Sequence, residues 1–150
     1  MAKELKARID DPSAVEEKLK KLGAEFSGEA LHEYVYFKQP AGSVVKLTAK
    51  EGKVYKTVLV AKDGKWDIVS DELVNEPDRV SDELATTYGI KRKLKNHRRF
   101  FVLGEDILSI NRIEGVGDFL IIESNAPSTE SLDRLGIKHD AIITDSFDNL

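Results

Sequence analysis

The chain has 150 residues, of which 41% are hydrophobic and 33% charged, with a formal net charge of −4. This composition is typical of a folded globular protein and argues against a disordered chain. The absence of cysteine excludes disulfides and thiolate metal sites, and the net charge gives no overall attraction to nucleic acid. Any anion-binding function would therefore need a local concentration of lysine and arginine.

The N-terminal residues alternate in charge and contain no apolar run, so we expect no signal peptide. No stretch reaches the run of about 20 apolar residues that spans a membrane. We therefore expect a cytoplasmic protein with neither a membrane nor a nucleic acid as partner. No linker or change of composition divides the sequence, so residues 1–150 are predicted to form one domain.

The first predicted elements are a strand and a helix. Glu4, Lys6 and Arg8 alternate with apolar residues, which is the two-residue period of a strand. A helix is then predicted from Pro12, because proline favours the first helical position, to the glycine stop at Gly23.

The rest of the sequence predicts strands in hairpins, interrupted by further helices. β-branched and aromatic runs separated by short turn signals predict strands at 31–37, 43–50, 53–62 and 66–74, then near 92–103, 106–114 and 117–124. Pro77 and Pro127-Ser128 start two more helices, and residues 142–150 are weakly helical. Hairpins this short are antiparallel, so we predict a mainly β, α+β fold. Its core is an eight-stranded antiparallel β-barrel, or tunnel, with flanking α-helices.

Several predicted strands carry polar or charged side chains on one face. Besides the first strand, these faces hold Lys46, Thr48, Lys50, Asn96, Arg98, Ser109, Asn111 and Glu123. If they line a barrel interior, the cations could bind phosphate oxygens and the carboxylates could hold Mg²⁺ or Mn²⁺. Alternation alone favours the ordinary alternative, in which such faces meet solvent.

Six segments, taken in order, share a pattern with one family. AKELK (2–6) matches the second Glu and the Lys of E-x-E-x-K, HEYVYF (32–37) resembles D-x-Y-F, and VVKLTAK (44–50) resembles L-R-x-R. HRRFF (97–101) resembles K-x-R-x-x-Y, INRIEGVGDFLIIES (110–124) resembles L-D-x-V-x-G-L-G-D-F-x-E-I-E, and SFDNL (146–150) resembles S-Y-x-x-L. The chain thus resembles the CYTH superfamily, which includes class IV adenylate cyclases, thiamine triphosphatases and inorganic triphosphatases.

The resemblance implies an eight-stranded tunnel in which basic residues bind a triphosphate and acidic residues bind one or two divalent metals. It implies phosphate ligands at Lys6, Arg8, Lys46 and Arg98, and a weaker one at Lys56, whose strand fits two registers. It implies ligands for Mg²⁺ or Mn²⁺ at Glu4, Glu123 and, depending on register, Asp71. It assigns no catalytic residue.

The chain departs from the family pattern at positions that usually carry charge. The departing residues are Ala2, Thr48, Val69, Leu73, Asn96, Asn111 and Ile121. A two-metal arrangement is weakened by these changes, whereas one metal needs only one or two carboxylates together with phosphates and waters. Three functions stay open: a metal-dependent triphosphatase, a protein that binds a phosphorylated small-molecule anion without turnover, and an adenylate cyclase. A homodimer also stays open.

Two further patterns have simpler interpretations. The basic run 90–99 could bind nucleic acid, but its alternation favours a strand with one lumenal and one solvated face. His32, His97 and His139 lie far apart in the sequence, so a zinc site is not expected.

Overall fold

The computed structural model describes residues 3–63, 65–127 and 129–150. The strands are β1 (Lys3–Arg8), β2 (Glu25–Phe37), β3 (Ser43–Lys50), β4 (Lys53–Lys62), β5 (Lys65–Leu73), β6 (Ile90–Leu103), β7 (Asp106–Ile113), β8 (Gly117–Ser124) and β9 (Ile142–Ile143). The helices are α1 (Pro12–Lys21), α2 (Pro77–Tyr88) and α3 (Glu130–Arg134), with 3₁₀ turns at His139–Ala141 and Phe147–Asn149.

The sheet closes on itself through β1. Its strands follow the order β5-β4-β3-β2-β6-β7-β8-β1, and β1 also pairs with β5 at Lys3 and Glu4. Every pairing is antiparallel, and β9 lies beside β1 at Lys6 and Ala7. The predicted eight-stranded antiparallel barrel with flanking helices is confirmed.

Helices α1 and α3 cover the outer face of β1, β6, β7 and β8. Asp11 caps α1 by accepting a hydrogen bond from the backbone N–H of Ala14. The buried residues Val15 and Leu19 of α1 pack with Leu132 of α3 against apolar strand residues. Those strand residues are Ala7, Phe101, Leu108, Ile110, Leu120 and Ile122. Because this apolar face points outward toward the helices, the alternating polar residues of the same strands point into the barrel.

Helix α2 covers the opposite side. Leu84 packs against Phe37, Val45 and Leu47, which lie on the outer face of β2 and β3. No helix in the described ranges is both long enough and apolar enough to cross a membrane.

Irregularities in strand pairing change which residues face the interior. Strand β2 begins at Glu25, ahead of the predicted start at residue 31, and it is interrupted between Phe26 and Gly28, where Gly28 has φ 143°. A second shift, between Val58 and Leu59 of β4, lies opposite an unpaired residue, Val69, of β5. Such a bulge reverses the alternation beyond it.

The last residues differ from the weak helix predicted for 142–150. Ile142 and Ile143 form the short strand β9, and only Phe147–Asn149 make a helical turn. The aromatic ring of Phe147 is buried against the interior of the barrel. We call residues 144–150 the C-terminal strap.

Candidate functional site

The interior of the barrel holds a concentrated set of polar and charged side chains. Leu5 and Ala7 pack outward, so Glu4 and Lys6 of the same strand face the interior. The interior set is Glu4, Lys6, His32, Tyr34, Lys46, Thr48, Lys50, Thr57, Asp71, Asn96, Arg98, Ser109, Asn111 and Glu123. This is the face that the sequence could not assign to lumen or solvent.

One end of the interior is closed by apolar side chains and by the C-terminal strap. Phe147 of the strap joins a buried cluster with Tyr36, Val44, Trp66, Leu94, Ile113, Phe119 and Ile121. Polar contacts hold the strap: Trp66 Nε1 donates to the backbone oxygen of Thr144 at 3.0 Å, and Lys91 forms an ion pair with Asp148 at 2.8 Å. A ligand would therefore meet an apolar floor at this end.

Lys6 lies directly above this floor. Its side chain is buried, and its Nζ donates to the backbone oxygen of Asp145 at 2.7 Å. The Nζ also lies 4.6 Å from the ring centre of Phe147. Burial lowers the pKa of Lys6 to about 8, and nearby Lys46 lowers it further while Glu4 opposes the shift. Lys6 is still mostly charged at neutral pH.

Two more lysines rest on tyrosine rings. Lys46 Nζ lies 4.5 Å from the ring centre of Tyr34, and Lys50 Nζ lies 4.7 Å from that of Tyr55. Such cation–π contacts hold an ammonium loosely, at about 0.5–2 kcal/mol. Both lysines could turn from a ring toward an anion at little cost.

Arg98 contacts four neighbouring side chains, one of which is Glu123, whose Oε1 lies 3.9 Å from Nη2. One terminal nitrogen, Nη2, donates to Ser109 Oγ at 2.9 Å, and the other, Nη1, lies 3.4 Å from His32 Nδ1. The guanidinium carbon lies 4.7 Å from the ring centre of Phe100. Of the five N–H donors of the guanidinium, the one on Nε is buried and has no hydrogen-bond partner in the described part of the chain. Arg98 is thus fixed in place with its Nε–H unused.

His32 helps to fix Arg98 because its ring stays neutral. Burial, then the charges of Arg98, Lys50 and Lys46, lower the pKa of His32 to about 4. A neutral ring can accept the hydrogen bond from Arg98 on Nδ1, whereas a protonated ring cannot. No sequence pattern indicates this role, because His32 and Arg98 are 66 positions apart in the chain.

Two asparagines join the interior residues into one network. Asn96 Nδ2 donates to Tyr34 Oη at 3.0 Å and to Asn111 Oδ1 at 2.8 Å. Asn111 Nδ2 donates to the Oγ and to the backbone oxygen of Ser109, each at 3.0 Å. The two amides stand at positions where the family resemblance implies charged residues.

The interior carboxylates are few. Glu4 and Glu123 lie directly opposite each other on β1 and β8, and burial followed by repulsion from Glu4 raises the pKa of Glu123. Asp71 accepts a hydrogen bond from Thr57 at 3.0 Å on an exposed part of β5. Among residues 3–63, 65–127 and 129–150, no group of three or more His, Asp or Glu side chains is placed to hold a metal ion.

This donor set fits one metal rather than two. Mg²⁺ and Mn²⁺ prefer oxygen ligands, and one Mg²⁺ needs only one or two carboxylates when phosphate oxygens and waters complete its shell. Glu4 and Glu123 could supply those carboxylates from facing positions.

The structure gathers most, though not all, of the residues that the sequence predicted. Glu4, Lys6, Lys46, Arg98 and Glu123 share the interior, and Asp71 lies at its exposed side.

Two predicted phosphate ligands and one family position stand apart. Arg8 lies at the exposed end of β1, stacked 4.9 Å from the ring of Phe119, beyond the apolar floor. Lys56 pairs with the outward-facing Leu47 and lines a groove against α2, so it points away from the interior. Ala2 lies outside the described residues.

A groove of about 820 Å³ also lies outside the barrel, between α1 and strands β2, β6 and β7. Arg99 in this groove is paired with Glu16 at 2.6 Å and with Glu29 at 2.7 Å. Arg98 and Arg112 also line this groove, so it holds three arginines against two glutamates, and only the pairing of Arg99 with both glutamates distinguishes its charge from that of the interior.

The chain matches no protein-family model and no curated protein. It is similar to the structure of a protein from Pyrococcus horikoshii OT3, with 24% identity, a TM-score of 0.88, and coverage of 100% of this chain and 99% of the other. It is also similar to a candidate adenylate cyclase from Vibrio parahaemolyticus, with 15% identity, a TM-score of 0.75, and coverage of 99% and 95%.

A third structure links the same barrel to a named activity. The chain is similar to a Hippeastrum candidate adenylyl cyclase with a dominant triphosphatase activity, at 19% identity and a TM-score of 0.60, covering 90% of this chain and 84% of the other. At these identities the likeness concerns the fold. The chain therefore shares the closed antiparallel barrel of these structures.

Proposed function

We propose that the protein binds a phosphorylated small-molecule anion, best a linear triphosphate, inside its barrel. Lys6, Lys46, Lys50 and Arg98 supply positive charge to the interior. These four cations stand against three interior carboxylates, Glu4, Asp71 and Glu123, in a chain whose formal net charge is −4. Phosphate oxygens are the ligands that such a mixture of lysine and arginine suits best.

The unused Nε–H of Arg98 is the observation that carries the proposal. A buried donor without a partner costs about 1–3 kcal/mol, more if it is charged. Native proteins rarely keep such a group unless something binds it. An oxyanion within reach of Arg98 would supply the partner, and the neighbouring lysines would neutralise its charge.

Metal-dependent hydrolysis is the second candidate, and the facing pair Glu4 and Glu123 favours it. A divalent ion on these carboxylates would supply Lewis-acid polarisation of a phosphoryl oxygen. Lys6, Lys46 and Arg98 would hold the phosphates and stabilise the charge that spreads over them during transfer. A cyclase would also need a site for a nucleotide base, and none of the interior contacts favours one.

Binding is tested by titration calorimetry with tripolyphosphate, with and without Mg²⁺. We expect saturable binding that Arg98→Ala weakens at least tenfold, equal to about 1.4 kcal/mol. Lys56→Ala is the matched control, because Lys56 is a cation on the outer face, and it should leave binding unchanged. Equal weakening by both variants, or no binding by the wild type, would overturn the proposal.

Turnover is tested separately by phosphate release from tripolyphosphate and from a nucleoside triphosphate with Mg²⁺ or Mn²⁺. An enzyme would release phosphate above the level of Glu4→Gln. Binding without release would assign the protein to the non-catalytic alternative. The cytoplasmic location and a homodimer remain predictions from sequence.

A further inference from the structure

The direction of the hydrogen bonds among Tyr34, Asn96, Asn111 and Ser109 is fixed by one backbone group. The backbone oxygen of Ser109 can only accept, so the side-chain nitrogen of Asn111 must face it. The amide oxygen of Asn111 therefore faces Asn96, and Asn96 must donate to it through its own side-chain nitrogen. A flipped amide at either position would set two acceptors or two donors against each other.

This direction determines what the two hydroxyl groups can do. Asn96 Nδ2 also donates to Tyr34 Oη, so the Tyr34 oxygen is an acceptor within the network. Ser109 Oγ accepts from both Asn111 Nδ2 and Arg98 Nη2, and neither nitrogen can accept in return. The hydroxyl protons of Tyr34 and Ser109 must both point away from the network.

Those two protons are left free to donate. Tyr34 is 4% exposed and Ser109 2%, and neither hydroxyl donates to another residue in the described part of the chain. The Nε–H of Arg98 is a further buried donor without a partner in the described residues, and Asn96 Oδ1 and Asp148 Oδ1 are buried acceptors without one. Buried hydroxyl groups normally find partners, so the two free hydroxyl protons point to a ligand that supplies acceptors.

We propose that Asn96 and Asn111 are positioning residues that turn Tyr34 and Ser109 into obligatory hydrogen-bond donors, so that the interior selects fully ionised phosphate oxygens. This inference rests on the proposed function and specifies, in addition, the protonation state in which the phosphorylated ligand binds. A protonated phosphate oxygen would place its own donor against these donors and lose at least one hydrogen bond. Phosphate monoesters lose their second proton near pH 6, and we expect terminal phosphates of a triphosphate to behave similarly.

The test is the pH dependence of tripolyphosphate binding by titration calorimetry, from about pH 5.5 to 7.5. In this range we expect wild-type affinity to rise at least tenfold as the terminal phosphates lose protons. Lys6, with a pKa of about 8, and Glu123, whose pKa is raised by burial, both oppose this rise as pH increases, and His32, with a pKa of about 4, stays neutral; all three are the same in the wild type and in every variant. Asn111→Asp lets Ser109 donate to the new carboxylate and so uses up its proton, whereas Ser109→Ala removes the donor without adding charge. Both variants should flatten the rise, and their agreement would exclude charge as the cause.

Controls separate this inference from the proposed function and from loss of fold. Asn75→Asp adds the same charge at an exposed position outside the barrel and should keep the wild-type pH profile. Tyr34→Phe preserves the ring and should lower affinity at pH 7.5 while circular dichroism shows a folded protein. If the wild type binds but all variants keep its pH profile, the inference fails and the proposed function stands. If the wild type does not bind at any pH, the proposed function itself fails.

Discussion

The ammonium of Lys6 donates a 2.7 Å hydrogen bond to the backbone oxygen of Asp145, 139 positions further along the chain. This bond joins the first strand of the barrel to the strap that closes one end. Lys6 is therefore a structural contact of the strap and a cation of the interior at once. A ligand anion and the strap share the same ammonium group.

The buried ammonium of Lys6 makes stability depend on pH. Its pKa is about 8 in the folded protein and 10.5 when exposed, so the unfolded chain binds more protons between these values. Stability should accordingly rise as pH increases from about 8 toward 10.5, by up to about 3 kcal/mol from this group. Urea unfolding of wild type and Lys6→Met should show the rise only in the wild type. The exposed Lys53→Met serves as control, and a rise that persisted in Lys6→Met would contradict the assignment.

The strap should contribute measurably to stability through Phe147. Its ring is 5% exposed and lies 4.9 Å from the ring of Phe119, so Phe147→Ala should cost about 3 kcal/mol in the free energy of unfolding. Val69→Ala is the control. It removes an apolar side chain that is 62% exposed and should change the free energy of unfolding by less than about 0.5 kcal/mol.

The only tryptophan, Trp66, provides a second measurement on the same variant. Its indole donates to Thr144 of the strap, so Phe147→Ala should expose Trp66 and shift its fluorescence to longer wavelength. An unchanged emission spectrum together with a small loss of stability would mean that the strap does not seal the barrel in solution.

His32 should make the protein sensitive to mild acid. Its pKa is about 4 in the folded protein and 6.5 when exposed, so the unfolded chain binds more protons in this window and stability falls as pH drops from 6.5 toward 4. His32→Asn keeps a polar side chain without titrating, and should lose less stability than the wild type between pH 6.5 and 5. His97→Asn, at an exposed histidine, should behave like the wild type. Equal acid sensitivity in all three proteins would contradict this role.

Much of the barrel was predictable because alternation is a local property of the sequence. Lys46 and Arg98 have the two-residue period that assigns them to one face of a strand. Whether that face is lumen or surface depends on where α1 and α2 pack, which is a property of the whole fold. The family resemblance supplied the assignment to the lumen that alternation could not.

The face of β5 could not be predicted reliably, and the reason is the bulge at Val69. Residues 69, 71 and 73 would share one face in a regular strand, whereas the unpaired Val69 breaks the alternation. Asp71 lies beyond this bulge, beside Thr57. Bulges leave little trace in a single sequence. Strand β4 pairs with β3 without a shift, and Lys56 faces outward opposite Leu47.

The hydrogen bonds between interior side chains could not be predicted from the sequence either. Tyr34 and Asn96 meet only because β2 and β6 are neighbours in the closed sheet. Their spacing along the chain contains no signal of that contact. The sequence marks the asparagines only as departures from charged positions, whereas in the structure Asn96 Nδ2 lies 3.0 Å from Tyr34 Oη and Asn111 Nδ2 lies 3.0 Å from Ser109 Oγ.

The facing carboxylates Glu4 and Glu123 should destabilise the ligand-free protein at neutral pH. Burial and the charge of Glu4 raise the pKa of Glu123 above its unfolded value, so its contribution to stability is complete only below that unfolded value and is lost as pH rises through the folded one. Glu123→Gln removes this loss. We therefore expect the variant to unfold at a higher temperature than the wild type at pH 7, with the difference shrinking as pH falls toward 4.5.

Magnesium should reverse the order of the melting temperatures of the wild type and Glu123→Gln. An ion held by Glu4 and Glu123 stabilises the folded state in proportion to its occupancy, so added Mg²⁺ with tripolyphosphate should raise the melting temperature of the wild type more than that of Glu123→Gln. Glu105→Gln, at an exposed turn, should follow the wild type throughout. An equal response of all three proteins to Mg²⁺ would show that the facing carboxylates do not bind the ion, and would leave the barrel as a metal-free anion site.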